Sequence, residues 1–381
     1  AFSPDAEHVA VASVCDGVTR LELRNNTGKR YPRRATSVAY SPNGRLLAVA
    51  GPTAVSILDC ETEEELYRVD SGEDSLEMVE SSANGNQFFG DLAFSPDGKF
   101  LAHVSGYRYV EERSDLTVYR TSDFKKVGGG PLHKSDFGLQ SLVFSPDSSR
   151  LLVGGNTGRV QIWGTSDWKS RDTIVTPHSM LSAMAISPDG KRLYLGSRID
   201  KRSVTIWDIE TRTQLHRLNS PPVGYLALSP NGRTLAVGSF DHNVSLWDAD
   251  TGMRLQTIQT HGAPVFGVDF SPDSKRLATV DHQAVLRFWD AETKSEINED
   301  PNILQALLRL GNWRFEQESY SEAETLFSKV IEMNKGTQHL TADELADLRL
   351  KLKKVARLSE AMIAPTHALE RRATLKTNAK R

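Results

Sequence analysis

Short apolar runs recur along most of the chain, separated by polar turns. The stretch 225–248 shows the unit. Tyr225 to Leu228 is one apolar run, Ser229-Pro230-Asn231-Gly232 follows, and Thr234 to Ser239 is a second run. Phe240 to Asn243 is a polar turn, and Val244 to Trp247 is a third run closed by Asp248. Runs of this length, rich in β-branched and aliphatic residues and bounded by turn chemistry, predict strands. Proline presets φ at the second position of a type I turn, Asn tolerates the third and Gly relieves the fourth.

The unit is written seven times. Its turn prolines are Pro4, Pro42, Pro96, Pro146, Pro188, Pro230 and Pro272, at spacings of 38, 54, 50, 42, 42 and 42 residues. Ser precedes every one of them and Asp or Asn follows. A period near 42 with three or four strands per unit predicts propeller blades. One small sheet has two apolar faces and can bury neither alone, whereas a ring of sheets buries both. The expected fold is therefore an all-β seven-bladed propeller over residues 1–299, with about four strands per blade. A small all-α segment is expected after it.

These repeats resemble the WD-repeat (tryptophan-aspartate repeat) β-propeller family. The carriers are Trp207-Asp208, Trp247-Asp248 and Trp289-Asp290 at third-strand ends, with Trp163 in the same place followed by Gly164. His261, in Thr260-His261-Gly262, is similar to the family's Gly-His opening. The resemblance implies a supporting network of His, Ser or Thr, Asp and Trp within a repeat. The seventh repeat offers His261, Thr279 and Trp289 but has Gln283 where Asp is expected. The sixth has Asp241 and Trp247 but Val237 and no His. On this reading no repeat is complete, and other seven-bladed families stay open.

Two insertions break the period. One, of about 13 residues, precedes the third unit and carries Asp70, Glu73, Asp74, Glu77 and Glu80 before Phe88-Phe89. The other, of about six, runs from Gly106 through Tyr107, Arg108 and Tyr109 to Arg113. In an up-and-down blade, the turns between strands two and three share a face with the blade-to-blade loops, so both insertions fall on one face. Aromatic and Arg residues are enriched at binding hot spots. Tyr107, Arg108, Tyr109, Phe88 and Phe89 are thus the candidate partner site, with His242 and His282 on the rim of the same face. The acidic run beside them suggests a basic, apolar partner segment. The alternative is that Phe88 and Phe89 begin a strand and pack inward. Gly128-Gly129-Gly130 is expected to be an exit loop.

Near Asp300-Pro301 the apolar period lengthens to that of a helix. Ser321 to Glu324 and Thr341 to Glu344 are capping boxes. Leu310, Gly311, Tyr320, Ala323 and Phe327 resemble one tetratricopeptide repeat. The expected tail is a helical hairpin plus one helix over 300–364, then a frayed basic end, 365–381. The stripe Leu345, Leu348, Leu352, Val355 is expected to be core, and Lys351, Lys353, Lys354 and Arg357 a solvated face.

Composition adds little: 381 residues, 39% hydrophobic, 25% charged, net charge −3. The two cysteines, Cys15 and Cys60, form no disulfide framework, which favours a reducing, cytoplasmic location. The chain opens inside a strand without Met, which reads as a cut from a longer parent. No nucleophile elbow, zinc motif or phosphate loop is present, and no catalytic residue, metal or cofactor is expected. The expected function is a non-enzymatic scaffold binding protein segments, not nucleic acid or membrane, in a signalling or regulatory protein. The alternative is a propeller hydrolase or lyase using the central channel. The first-strand positions Ala93, Val143, Ala185, Ala227 and Asp269 are nearly all apolar, which favours the scaffold.

Overall fold

The computed structural model describes residues 1–13, 17–22, 28–31, 35–51, 54–70, 88–107, 114–131, 139–155, 157–178, 180–200, 202–259, 262–281, 286–297, 308, 311–312, 315, 320–337 and 340–355. Their strands form seven antiparallel sheets, each in simple chain order. Sheet 1 comprises His8–Ser13, Gly17–Glu22 and Gly28–Tyr31. Sheet 2 comprises Ser37–Tyr40, Leu46–Ala50, Ala54–Asp59 and Glu65–Asp70. Sheet 3 comprises Phe88–Phe94, Phe100–Tyr107, Ser114–Arg120 and Lys126–Pro131. Sheet 4 comprises Leu139–Phe144, Arg150–Gly155, Arg159–Gly164 and Lys169–Val175. Sheet 5 comprises Leu181–Ile186, Arg192–Ser197, Val204–Asp208 and Gln214–Leu218. Sheet 6 comprises Val223–Leu228, Thr234–Ser239, Asn243–Asp248 and Arg254–Gln259. Sheet 7 comprises Val265–Phe270, Arg276–Asp281 and Leu286–Asp290.

Leading strands of consecutive sheets lie beside one another, from sheet 1 round to sheet 7. This is a β-propeller. The core lies between sheets: Tyr194, Val204 and Ile206 of sheet 5 pack against Val223, Leu235, Val237 and Trp247 of sheet 6. Second strands such as Arg150–Gly155 and Thr234–Ser239 are buried at every position after the first, because both faces are covered. Burying each such Leu or Val contributes roughly 1.5–3 kcal/mol.

Seven full blades of four strands are not what the described residues form, since sheets 1 and 7 have three strands each. In unit 1 the inner strand is reduced to a bridge between Phe2 and Val9. In unit 7 the outer strand expected around Lys294 to Asn298 is reduced to a bridge between Trp289 and Glu296.

The Ser-Pro turns explain their own composition. In all seven, the Ser hydroxyl lies against the Asp or Asn side chain two residues on, as in Ser95–Asp97 and Ser229–Asn231 at 2.7 Å. The same oxygen accepts the backbone N–H five residues on, closing the hairpin. Units 4 and 7 carry Ser148 and Ser274 at the left-handed position where units 2, 3, 5 and 6 carry Gly and unit 1 carries Ala6, at φ 58° and 61° for the two serines. Each hydroxyl repays that strain by accepting a backbone N–H from the preceding sheet's turn, Asp97 at 3.0 Å and Asn231 at 3.1 Å.

Gly128-Gly129-Gly130 is not a loop. It lies within the outer strand Lys126–Pro131. A Cβ at Gly128 would meet Trp168 Cγ at 2.2 Å, and Gly129, at φ 94°, would meet Leu116 O at 2.0 Å. The glycines make room for the Trp168 indole, which stands edge-on to Phe100 with centroids 4.9 Å apart.

The described tail holds two helices, α1 (Tyr320–Thr337) and α2 (342–355). Nothing among the described residues supports the expected tetratricopeptide-like repeat. Most of the hairpin's first helix lies outside the described residues. α1 begins one residue ahead of the expected cap at Ser321. The second capping box is real: Thr341 N donates to Glu344 Oε2 at 2.8 Å and Glu344 N to Thr341 Oγ1 at 3.2 Å. Ala323, Leu326, Phe327 and Val330 are fully buried, in one cluster with Phe2, Val9, Leu286 and Phe288 of the propeller. Lys329 reaches Glu296 at 2.9 Å, and Glu296 also accepts from Arg287 at 3.1 Å. The described tail thus packs against sheets 7 and 1, beside the Trp289–Glu296 bridge. On α2, Lys351 bonds Asn312 at 2.8 Å and Lys354 stands 5.3 Å over the Phe315 ring, so this basic face is partly committed to packing.

Candidate functional site

The Asp that closes several third strands builds the next turn. Asp208 Oδ1 accepts Thr211 N at 2.7 Å and Thr211 Oγ1 at 2.9 Å, and Asp248 does the same with Thr251 at 2.8 and 2.7 Å. These bonds hold both carboxyls below the usual carboxylate range. Asp290 accepts Thr293 N at 2.6 Å. Trp207, Trp247 and Trp289 are buried, and Trp163 is half-buried. These residues are scaffold.

One repeat does contain a complete His–Thr–Asp–Trp network, contrary to the sequence reading. In sheet 5, buried His178 has Nδ1 2.9 Å from Asp200 and Nε2 2.9 Å from Thr205 Oγ1. Trp207 Nε1 donates to the same Thr205 hydroxyl at 2.9 Å, and Ser197 Oγ donates to Asp200 at 2.6 Å. Burial pushes the His178 pKa down, opposed by Asp200. The network escaped notice because its Thr sits on the third strand, two residues before the Trp. In sheet 7 the partner is on the second strand: Trp289 Nε1 donates to Thr279 at 2.9 Å. His261 and Gln283 lie outside the described residues.

The leading strands line a central channel with two cavities of about 240 and 190 Å³. Of the five first-strand positions singled out above, only Asp269 lines either cavity. The lining mixes apolar side chains such as Val9, Val268 and Met184 with the polar Thr36, Ser37, Asp91, Ser141, Ser182 and Tyr225. Asp91 is a rivet across three sheets. Its Oδ1 accepts Ser37 Oγ of sheet 2 at 3.1 Å and its own sheet's Leu92 N at 2.9 Å. Its Oδ2 accepts Ser141 Oγ at 3.2 Å and Leu142 N at 3.1 Å, both of sheet 4. Burial raises the Asp91 pKa against these four donors. Asp269 accepts Phe2 N at 2.8 Å, joining sheet 7 to the first unit. Burial pushes the Tyr225 hydroxyl up to about 12, with Asp91 adding to the effect, although the residue is 39% exposed along the channel.

At one mouth of the channel the walls become aromatic. Arg198 lines the smaller cavity and its guanidinium lies 5.4 Å over the Phe240 ring. Phe240 meets Phe266 edge-on at 5.9 Å. Arg198 N donates to Met180 O at 3.0 Å and Phe240 N to Pro222 O at 3.2 Å. These bonds tie the turns between second and third strands to the sheet-to-sheet connections, so both share this face. Ile199, beside Arg198, is 54% exposed. Among the described residues no group of His, Cys, Asp or Glu is placed to hold a metal. The sequence reading missed this cluster. Its only signal was an aromatic, Phe240, inside an otherwise polar turn.

The insertion residues fall differently from expectation. Phe88 and Phe89 begin the strand Phe88–Phe94, and Tyr107 ends the strand Phe100–Tyr107. Phe88 pairs with Tyr107, and Phe89 with Gly106. Arg108, Tyr109, His282 and the acidic run lie outside the described residues. His242 is exposed in the sheet 6 turn at φ 71°. Asp281, its neighbour in the next turn, is buried instead.

The WD40 family model (WD domain, G-beta repeat) matches residues 130–164, 212–248 and 252–290. Protein HIR1 of Kluyveromyces lactis is 35% identical over 98 residues, 21% of this chain and 11% of that protein. Protein hir1 of Aspergillus terreus is 27% identical over 183 residues, 48% of this chain and 16% of that protein. The transcriptional corepressor LEUNIG_HOMOLOG of Arabidopsis thaliana is 35% identical over 174 residues, 45% of this chain and 19% of that protein. The chain thus spans less than a fifth of each of these relatives. Neither the cytoplasmic location nor the tetratricopeptide-like tail gains support from these similarities.

Proposed function

We propose that this chain is a WD40-repeat β-propeller that serves as a non-enzymatic scaffold and binds a protein segment across the face that carries the channel mouth. The observation that carries this reading is the stack of Arg198 on Phe240 and of Phe240 on Phe266 beside an open cavity of about 190 Å³. Arg and aromatic side chains held by one another lose little freedom on binding, which is what hot-spot residues require. Phe88, Phe89 and Tyr107 end strands on the same face, with Arg108 and Tyr109 following. His242 stands on its rim, and His282 follows Asp281 in the corresponding turn. We read residues 1–299 as one ring of seven units and 300–364 as a tail that supports its seam. A role in transcriptional regulation is consistent with the corepressor relative.

The test is affinity capture with the intact chain and quantitative identification of what is recovered. Phe240→Ala with Phe266→Ala should weaken capture on the order of tenfold or more. A second pair, Tyr107→Ala with Tyr109→Ala, tests the insertion-bearing side. Unchanged recovery with both pairs, at unchanged melting temperature, rejects the face.

A further inference from the structure

We propose that the sheet 6 turn from Phe240 to His242 is the movable wall of the channel mouth, facing a fixed wall in sheet 5. The inference rests on the scaffold reading and adds how its binding face adapts.

The two turns are equivalents. Arg198 and Phe240 each follow the serine that ends a second strand, Ser197 and Ser239. Each donates its backbone N–H to the connection entering its own sheet, Arg198 to Met180 O at 3.0 Å and Phe240 to Pro222 O at 3.2 Å. Behind the sheet 5 turn, side chains make a continuous chain of bonds. It runs from Ser197 through Asp200, His178 and Thr205 to Trp207, with every step between 2.6 and 2.9 Å. Asp200 belongs to the turn and His178 to the connection, so the chain pins one to the other.

Sheet 6 keeps the two ends of this chain and lacks its middle. Ser220 stands ten residues before Pro230, where sheet 5 has His178 ten residues before Pro188. Its hydroxyl donates to Pro221 O at 3.2 Å. Asp241 is exposed and accepts Asn243 N at 3.2 Å, beside its own turn. Ser245 stands in the place of Thr205. Ser239 Oγ and Trp247 Nε1, the atoms at which the chain would begin and end, are buried without a hydrogen-bond partner. Opening the turn lets water reach them, which lowers the free energy of opening relative to sheet 5. The connection is held from both sides, by Ser203 Oγ on Ser220 O at 3.1 Å and Arg254 Nη2 on Asn219 O at 2.6 Å. Motion therefore falls to the turn, whose His242 sits in the left-handed region at φ 71°. Phe240 rides on it, and its ring contacts with Arg198 and Phe266 are less directional than the bonds behind the sheet 5 turn.

Hydrogen exchange of the intact chain, followed residue by residue by NMR, provides the test. The amides of Arg198 and Phe240 occupy equivalent places, so their protection factors compare directly. Phe240 should be on the order of tenfold less protected. S220H with S245T supplies the imidazole and the threonine hydroxyl that sheet 6 lacks. It should raise the protection of Phe240 severalfold and leave Arg198 unchanged. H178A breaks the chain in sheet 5 and should bring Arg198 down toward the level of Phe240. Equal protection of the two amides in the unaltered chain overturns the inference, and that comparison stays decisive if either variant fails to fold. A Phe240 amide unmoved by S220H with S245T overturns it too, as does an Arg198 amide unmoved by H178A. If the two amides are equally protected while the Phe240 and Phe266 pair still loses its native partners, the face stands and its movable wall does not.

Discussion

The indole of Trp207 donates to the hydroxyl of Thr205, two residues earlier on the same strand, at 2.9 Å. That hydroxyl also meets His178 from the connection between sheets 4 and 5, so one oxygen joins two buried rings. Replacing Thr205 by Val keeps the shape and leaves both ring nitrogens without it. Each orphaned buried polar group costs about 1–3 kcal/mol. Thr205→Val should therefore lower stability by about 2–4 kcal/mol in urea titration, while Thr205→Ser should recover most of it. A Val variant as stable as the parent would show that the network is incidental.

Asp91 supports a second prediction. Asn is nearly isosteric, but its amide nitrogen would face the donors Ser141 Oγ and Leu142 N or Ser37 Oγ and Leu92 N. The Ser hydroxyl on that side can turn to accept from the amide, but its backbone N–H, Leu142 or Leu92, loses its acceptor whichever way the amide turns. The expected cost is about 1–3 kcal/mol, with faster hydrogen exchange at Leu142 or Leu92. Unchanged exchange at both amides would count against the rivet.

The Ser-Pro turns predict an acid response. The Ser145, Ser187 and Ser271 hydroxyls hold Asp147, down to about 2, and Asp189 and Asp273 below the usual carboxylate range. A depressed carboxyl stabilises the fold above its unfolded pKa, near 4, and loses that contribution as pH falls through the folded value. Melting temperature should be flat from pH 7 to 5 on account of these groups and fall between about pH 4 and 2. Ser145→Ala should make the fall shallower. An unchanged acid profile in that variant would show that the turn carboxylate is not the titrating group.

The tail gives the fourth prediction. Phe327 is fully buried in a cluster that includes Leu286 and Phe288 of sheet 7 and Phe2 of the first unit. Phe327→Ala should cost about 3–5 kcal/mol. If α1 supports the seam, exchange should also quicken in sheets 1 and 7 before sheets 4 and 5. A variant that loosens only the tail, with sheet 7 as protected as before, would separate the tail from the ring.

The strands and turns were legible because their causes are local. Each Ser-Pro turn is closed by bonds spanning two to five residues, so Ser229, Asn231 and Thr234 carry the whole instruction. The second capping box, Thr341 with Glu344, is equally self-contained. The inward stripe of α1 was legible for the same reason, since helical periodicity places Ala323, Leu326, Phe327 and Val330 on one face whatever they pack against.

What the sequence alone could not decide is what meets across the ring. Asp91 takes Ser37 from 54 residues before it and Ser141 from 50 residues after it, and no spacing rule links them. Gly128 read as a loop because its reason, the Trp168 indole, belongs to another sheet. His178 finds Thr205 on the third strand because the longer sheet 5 turn sets Asp200 against it. Arg198 finds Phe240 because consecutive blades stack side by side. Turn chemistry and strand pattern are set within a few residues. Channel polarity, the mouth cluster and the cover of the last sheet arise only when the ring brings distant units into contact.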